Sequence, residues 1–206
     1  MKSQMPHTRP VSREQCVGSV CDDRHVALDV EIRNLLTPPA RRSVKEMSLQ
    51  IGELENDSVV GVTFRSPAFG VYCIWGAPRR AVHGDYVLGA TSIETKGKPV
   101  SDVLRLDVSG RVPTAAGPVD EATRLEHGSI VRASFERGDE HVTILGPAVI
   151  TTGSHMVGVG RWVLAFQDRP SHYLTALDVV SSADDTGLAV PERMVSWSDA
   201  DDIPES

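Results

Sequence analysis

The chain is short of cysteine and of long apolar runs, and each shortage closes off a class of protein. Three cysteines in 206 residues make no disulfide framework, because Cys16 and Cys21 are near neighbours and Cys73 stands alone in an apolar run. All three read as free thiols. No stretch approaches the roughly twenty consecutive apolar residues of a membrane helix. The opening MKSQMPHTRPVSREQ has no apolar core of the kind a secretory signal carries, so the expected compartment is the cytosol. Base is also scarce: 21 Lys and Arg stand against 28 Asp and Glu, a net charge of −7. Such a chain repels phosphate backbones, and only a local basic patch would bring a nucleic acid to it. Much of the excess acid sits near the end, in Asp184, Asp185, Asp199, Asp201, Asp202 and Glu205.

What is present is a repeat. Sliding the chain by 71 positions without a gap lays Leu54-Glu55 on Leu125-Glu126, Ser58 on Ser129, Val60 on Val131 and Phe64 on Phe135. Val71 then falls on Val142, Ala77 on Ala148, Gly89 on Gly160 and Pro99 on Pro170. The match closes with Leu106-Asp107-Val108 on Leu177-Asp178-Val179. A constant offset held across 54–108, with shared Gly and Pro, predicts a tandem duplication. Leu28-Asp29-Val30 followed by Arg33 resembles the later Leu-Asp-Val motif and hints at a partial third copy.

Each unit reads as β. Residues 58–65 and 69–76 are rich in β-branched and aromatic side chains around a Ser66-Pro67-Ala68 turn, which predicts a hairpin. Its counterpart is 129–136 and 140–145 around Arg137-Gly138-Asp139. Further strands are expected at 85–90 and 102–108, and again near 157–165 and 172–180. Alternation at Val26, Leu28, Val30 and Ile32, and at Met47, Leu49 and Ile51, predicts strands upstream too. Helix is expected only as a turn or two within 12–20 and 119–126. The predicted class is thus all-β, a duplicated small barrel-like or sandwich unit with extended arms. The expected boundaries are an N-terminal arm at 1–24, a first unit at 25–108 and a linker at 109–124. A second unit follows at 125–180 and an acidic arm at 181–206. The arms carry no core of their own.

Chemistry is harder to find. Cys16, Cys21, Asp22, Asp23 and His25 bunch together, but the four-residue spacing between the cysteines is wide for zinc and no second ligand pair follows. His83-Gly84-Asp85 and Gly153-Ser154-His155 occupy similar places in the two units. Adjacent strand residues face opposite ways, so Ser154 and His155 do not read as a nucleophile and its base. Gly158-Val159-Gly160 lacks the third glycine and the helix of a dinucleotide site. The Asp of the repeated Leu-Asp-Val (Asp29, Asp107, Asp178) recurs in every unit, which favours a structural carboxylate accepting neighbouring amides. No catalytic residue, metal or cofactor is predicted.

One surface stands out. Phe69, Tyr72 and Trp75 lie close in sequence to Arg79 and Arg80, and arginines beside aromatics on a small barrel are the means by which single-strand binders work. The second unit has Ile150 and Thr151 where the first has the arginines, and another pair, Arg41-Arg42, lies upstream. Three functions follow. The first is a non-enzymatic assembly protein, a homo-oligomer or a part of a larger particle such as a phage-like one, gripping neighbouring subunits by arms and strand edges. The second is a regulatory module binding a partner protein or single-stranded nucleic acid through the aromatic and arginine surface. The third is an enzyme with its site between the units, where tandem barrels leave a cleft.

Overall fold

The computed structural model describes residues 34, 36, 58–82, 84–95, 98–108, 112–153, 155–182 and 189–196. The first half holds β1 (Val60–Ser66), β2 (Gly70–Gly76), β3 (Arg79–Arg80), β4 (Tyr86–Leu88), β5 (Thr91–Ser92), β6 (Glu94–Thr95), β7 (Lys98–Pro99) and β8 (Val103–Val108). After a 3-10 turn at Val119–Arg124 come β9 (Ile130–Arg137), β10 (Glu140–Pro147), β11 (Val149–Thr151) and β12 (Met156–Val159). The chain continues through β13 (Trp162–Phe166), β14 (Arg169–Pro170) and β15 (Leu174–Ser181). The protein is all-β, as its composition and period-two patterning predict.

The two halves share one sheet. Its order is β15-β9-β10-β2-β1-β8, antiparallel throughout, with the seam where β10 meets β2. The ladders on either side of the seam run in the same register 71 positions apart. In the first half Val60 faces Val108, Gly61 faces Asp107 and Val62 faces Leu106. In the second, Val131 faces Val179, Arg132 faces Asp178 and Ala133 faces Leu177. Each ladder also breaks at the corresponding place, after Thr63 in one and beside Ser134 in the other. The ungapped offset slips by one in the second strand, because three residues connect β1 to β2 and two connect β9 to β10. Tyr72 therefore corresponds in facing to Val142, and Ile74 to Ile144, with which it pairs across the seam.

Two layers cover this sheet. On one face Val60, Val62, Phe64, Tyr72, Ile74, Val131, Ala133, Phe135, Val142 and Ile144 form one buried cluster with residues of the small sheets. Those sheets are β3-β4-β5 and β11-β12-β13-β14, and they contribute Leu88, Val149, Val159 and Leu164. At roughly 1.5–3 kcal/mol per fully buried aliphatic or aromatic side chain, this face carries most of the stability. On the other face Cys73, Trp75, Ile130 and Leu145 are covered by Leu36, with Val71, Val112 and Val180 packed alongside. The arrangement is a layered sandwich, and no closed barrel forms among the described residues, since β8 and β15 end the sheet without meeting.

Several segments differ from their sequence reading. The stretch read as a linker is seated on the sheet: Ala115 N donates to Ser134 Oγ (2.9 Å), and Leu177 N donates to Gly117 O (3.1 Å). Within 181–206, read as an arm without a core of its own, residues 189–196 dock on the second half. Met194 bridges Thr151 and is buried in the main cluster. His127 pins this segment, because Ile150 N donates to its Nδ1 (3.1 Å), which leaves Nε2 to donate to Pro191 O (2.7 Å). The strands expected at 26–32 and 47–51, the turn within 12–20 and the acidic end at 199–205 lie outside the described residues.

Candidate functional site

A cleft of about 670 Å³ opens between the two halves. Its floor is Phe135 on β9, Val142 on β10 and Trp162 at the start of β13, with Gly89 and Ala90 of the β4–β5 turn opposite. Its rim carries Arg79, Arg137, Arg161, Glu140, His172 and Tyr173. Three arginines and one glutamate make the lining cationic on a chain whose net charge is −7.

The two halves differ at one core position beside the cleft. Across the seam from it, Tyr72 lies parallel to Phe64 with ring centroids 5.3 Å apart, and Gly160 sits flat against the phenol. A Cβ on Gly160, whose φ is 53°, would come within 2.5 Å of the Tyr72 ring. On the cleft side Val142 stands where Tyr72 stands, and the missing ring leaves space. Trp162 fills part of it, with its ring 4.9 Å from that of Phe135 and its Nε1 donating to Thr91 Oγ1 (3.2 Å) in the other half. What Trp162 does not fill is the cleft.

The rim groups are held in place. Arg79 Nη2 lies 2.7 Å from Glu140 Oε2, joining β3 of one half to β10 of the other. The Glu140 side chain is only 10% exposed, and its Oε1 is buried with no hydrogen-bond partner among the described residues. Arg137 lies over the Tyr173 ring at 5.5 Å, within cation–π range. The Tyr173 and His172 rings are 3.7 Å apart, and Tyr173 is 37% exposed. Backbone fixes this pair too, since Glu136 N donates to Tyr173 O (2.9 Å). The set offers positive charge, flat rings and one buried acceptor in a single concave space, and such a combination suits recognition of an anion that carries a ring.

The surface predicted from sequence does not form. Phe69 and Tyr72 are 1% and 2% exposed in the main cluster, and Trp75 is 7% exposed on the opposite face of the sheet. Tyr72 lies on the opposite face of the sheet from Cys73 and Trp75, but both faces are covered, so neither set reaches solvent. Arg79 and Arg80 are exposed; Arg79 joins the cleft, whereas Arg80 donates to Tyr86 Oη (3.1 Å) and lies over its ring. The sequence reading missed Arg137, Arg161, Trp162 and Tyr173. A signal for them was available, because with the 71-residue offset they replace Ser66, Ala90, Thr91 and Asp102.

Other sequence candidates are dispersed. Cys16, Cys21, Asp22, Asp23, His25, Arg41, Arg42, His83 and Ser154 lie outside the described residues, and no cluster of metal ligands occurs among the described ones. His155 sits exposed in a tight turn with a φ of 47°. Gly158 and Val159 are buried strand residues of β12. Cys73 is buried beside Thr63 Oγ1 at 3.2 Å, and burial pushes its thiol up to about 12, far from reactive. Asp178 has a structural role of the kind expected. It accepts from Ala116 N (3.1 Å), Gly117 N (2.8 Å) and Arg132 Nη2 (2.6 Å). Burial pushes its carboxyl up, but the Arg132 hydrogen bond, the two amides and the guanidinium charge outweigh that and hold it below the usual carboxylate range.

No family model, curated protein or solved structure matches the chain. No helix among the described residues is long and apolar enough to cross a membrane.

Proposed function

We propose that the chain is a non-enzymatic binding module that takes an anionic ligand in the cleft between its halves. The observation that carries this is the gathering of Arg79, Arg137 and Arg161 around one concave space on a chain of net charge −7. A cleft lined mainly by one sign of charge focuses its field and raises the local concentration of ligands of the opposite sign. Arg137 has no carboxylate partner among the described residues, so its charge is available to a ligand.

The test is titration of the full chain with tripolyphosphate by calorimetry. Arg137→Glu and Arg161→Glu together reverse the sign of the rim. Binding is expected to weaken at least tenfold in the double variant and to weaken with salt, as charge-assisted contacts do. Unchanged affinity in the double variant sinks the proposal.

A second reading, assembly through strand edges, keeps one observation in its favour. β8 and β15 end the shared sheet, and Val179 on β15 is 50% exposed. Such edges pair with other chains unless covered. Light scattering behind a sizing column would compare the full chain with one lacking residues 1–20 and 197–206. A discrete oligomer that falls to monomer on trimming supports assembly; a monomer near 22 kDa in both removes it.

A further inference from the structure

We infer that the ligand of the cleft is a nucleotide whose base carries an exocyclic amino group, with Glu140 as the acceptor for that group. This rests on the anion-binding reading and goes further, because an anion alone does not account for Glu140. A carboxylate in the lining repels a bare anion, yet Glu140 lines the cleft at 10% exposure. One oxygen is held by Arg79; the other, Oε1, is buried without a partner among the described residues. An unsatisfied buried carboxylate oxygen costs free energy until a donor reaches it. Glu140 lines the cleft, and a shift of the half-exposed Arg79 side chain opens its Oε1 to a donor arriving with the ligand.

The ligand must therefore combine negative charge with an N–H donor. The rings add a third requirement. His172 and Tyr173 form a ring pair 3.7 Å apart at the rim, with Arg137 over Tyr173 and the Trp162–Phe135 pair beneath. Aromatic side chains beside arginines favour a flat base, because every base offers a π-face for stacking. Phosphate, planar base and amino group occur together in adenine, guanine and cytosine nucleotides. Carboxylates read the cytosine amino group by this contact. A volume of about 670 Å³ holds one nucleotide, within the usual range for ligand pockets. The same chemistry is offered by a free mononucleotide and by one unit of a single strand.

The experiment titrates the full chain with AMP, GMP, CMP, UMP, ribose 5-phosphate and pyrophosphate, and with a tetranucleotide of cytidine. The three amino-bearing nucleotides are expected to bind about tenfold more tightly than UMP or ribose 5-phosphate. Glu140→Gln is expected to erase most of that gap without weakening ribose 5-phosphate. Equal binding of pyrophosphate, ribose 5-phosphate and all four nucleotides overturns the nucleotide inference and leaves the anion site standing. Absence of binding by every probe at millimolar concentration overturns both. The comparison among bases uses the unaltered protein, so it decides the matter even if Glu140→Gln fails to fold. A tetranucleotide that binds about tenfold better than CMP identifies a strand as the source, and equal affinity identifies the free nucleotide.

Discussion

Asp178 and Asp107 occupy corresponding places in the two ladders, and replacing each by alanine should cost very different amounts. Asp178 faces Arg132 across the β15–β9 pair and takes hydrogen bonds from its Nε (3.1 Å) and Nη2 (2.6 Å). It also accepts the amides of Ala116 and Gly117, which seats the linker on the sheet. Its side chain is 23% exposed and that of Arg132 31% exposed, so the pair is partly screened. Hydrogen bonds to a charged group contribute about 1.5–3 kcal/mol each when well desolvated. Discounted for this exposure and for non-additivity, Asp178→Ala should cost about 2–3 kcal/mol. Asp107 faces Gly61, which cannot become an arginine, since a Cβ there would strike the Trp75 indole at 2.6 Å. Its ion-pair partner is Arg105 on its own strand, with the Asp107 side chain 38% exposed, so Asp107→Ala should cost no more than about 0.5 kcal/mol. Urea unfolding followed by tryptophan fluorescence measures both. The wild type's advantage over Asp178→Ala should also depend on pH in one direction. The folded pKa of Asp178 lies below its unfolded value of about 3.9, so its stabilisation is fully present above that pH. It is lost as pH falls through the lowered folded value. Equal costs for the two aspartates, or an Asp178 gap that persists undiminished to the lowest pH at which the protein stays folded, would refute the reasoning.

Gly160→Ala should destabilise by more than 2 kcal/mol, because it combines a left-handed φ of 53° with a clash against the buried Tyr72 ring. Gly138→Ala, at a φ of 67° with open space around it, should cost only about 1 kcal/mol, and matching losses in thermal unfolding would show that no clash exists. In a chain with Cys16 and Cys21 replaced by serine, Cys73 should stay unreactive toward a thiol reagent at pH 8 until the protein is unfolded. Rapid labelling of the folded protein would contradict the burial described.

The β-strands were legible where they are long enough for period two to show. Residues 58–65 and 69–76 anticipate β1 and β2, and 129–136 and 140–145 anticipate β9 and β10, each within two residues at either end. The segment 157–165 reads as one strand but turns at Gly160 into two, because a left-handed glycine leaves alternation intact on both sides. Of the two- and three-residue strands, β4 falls within the expected 85–90, whereas β3, β5, β6, β7, β11 and β14 are too short to carry a period. The binding surface was misplaced for a related reason. Alternation tells which residues share a face, but not whether a remote segment covers that face. Trp75 is buried in a cluster that includes Leu36 and Val112, which nothing near position 75 announces. The repeat also directed attention to what the halves share. Shared residues such as Phe64 and Phe135 are core, whereas the charged and aromatic rim of the cleft is made of residues the halves do not share.

That asymmetry permits a test separating occupation of the cleft from the effect of its charge. Val142→Tyr with Trp162→Thr gives the second half the side chains the first half has at Tyr72 and Thr91. The new phenol should stack on Phe135 as Tyr72 stacks on Phe64, in space vacated by the indole. The exchange trades the Trp162 indole for a buried phenol and removes the Trp162–Thr91 hydrogen bond, a loss of about 1 kcal/mol, so the fold should persist within about 2 kcal/mol. All three arginines remain. If a ligand occupies the cleft, tripolyphosphate affinity should fall at least tenfold in a protein whose net charge is still −7. If affinity is unchanged while circular dichroism and thermal unfolding show a native fold, the arginines act as a diffuse surface field, and the space between the halves is a packing defect beside Val142.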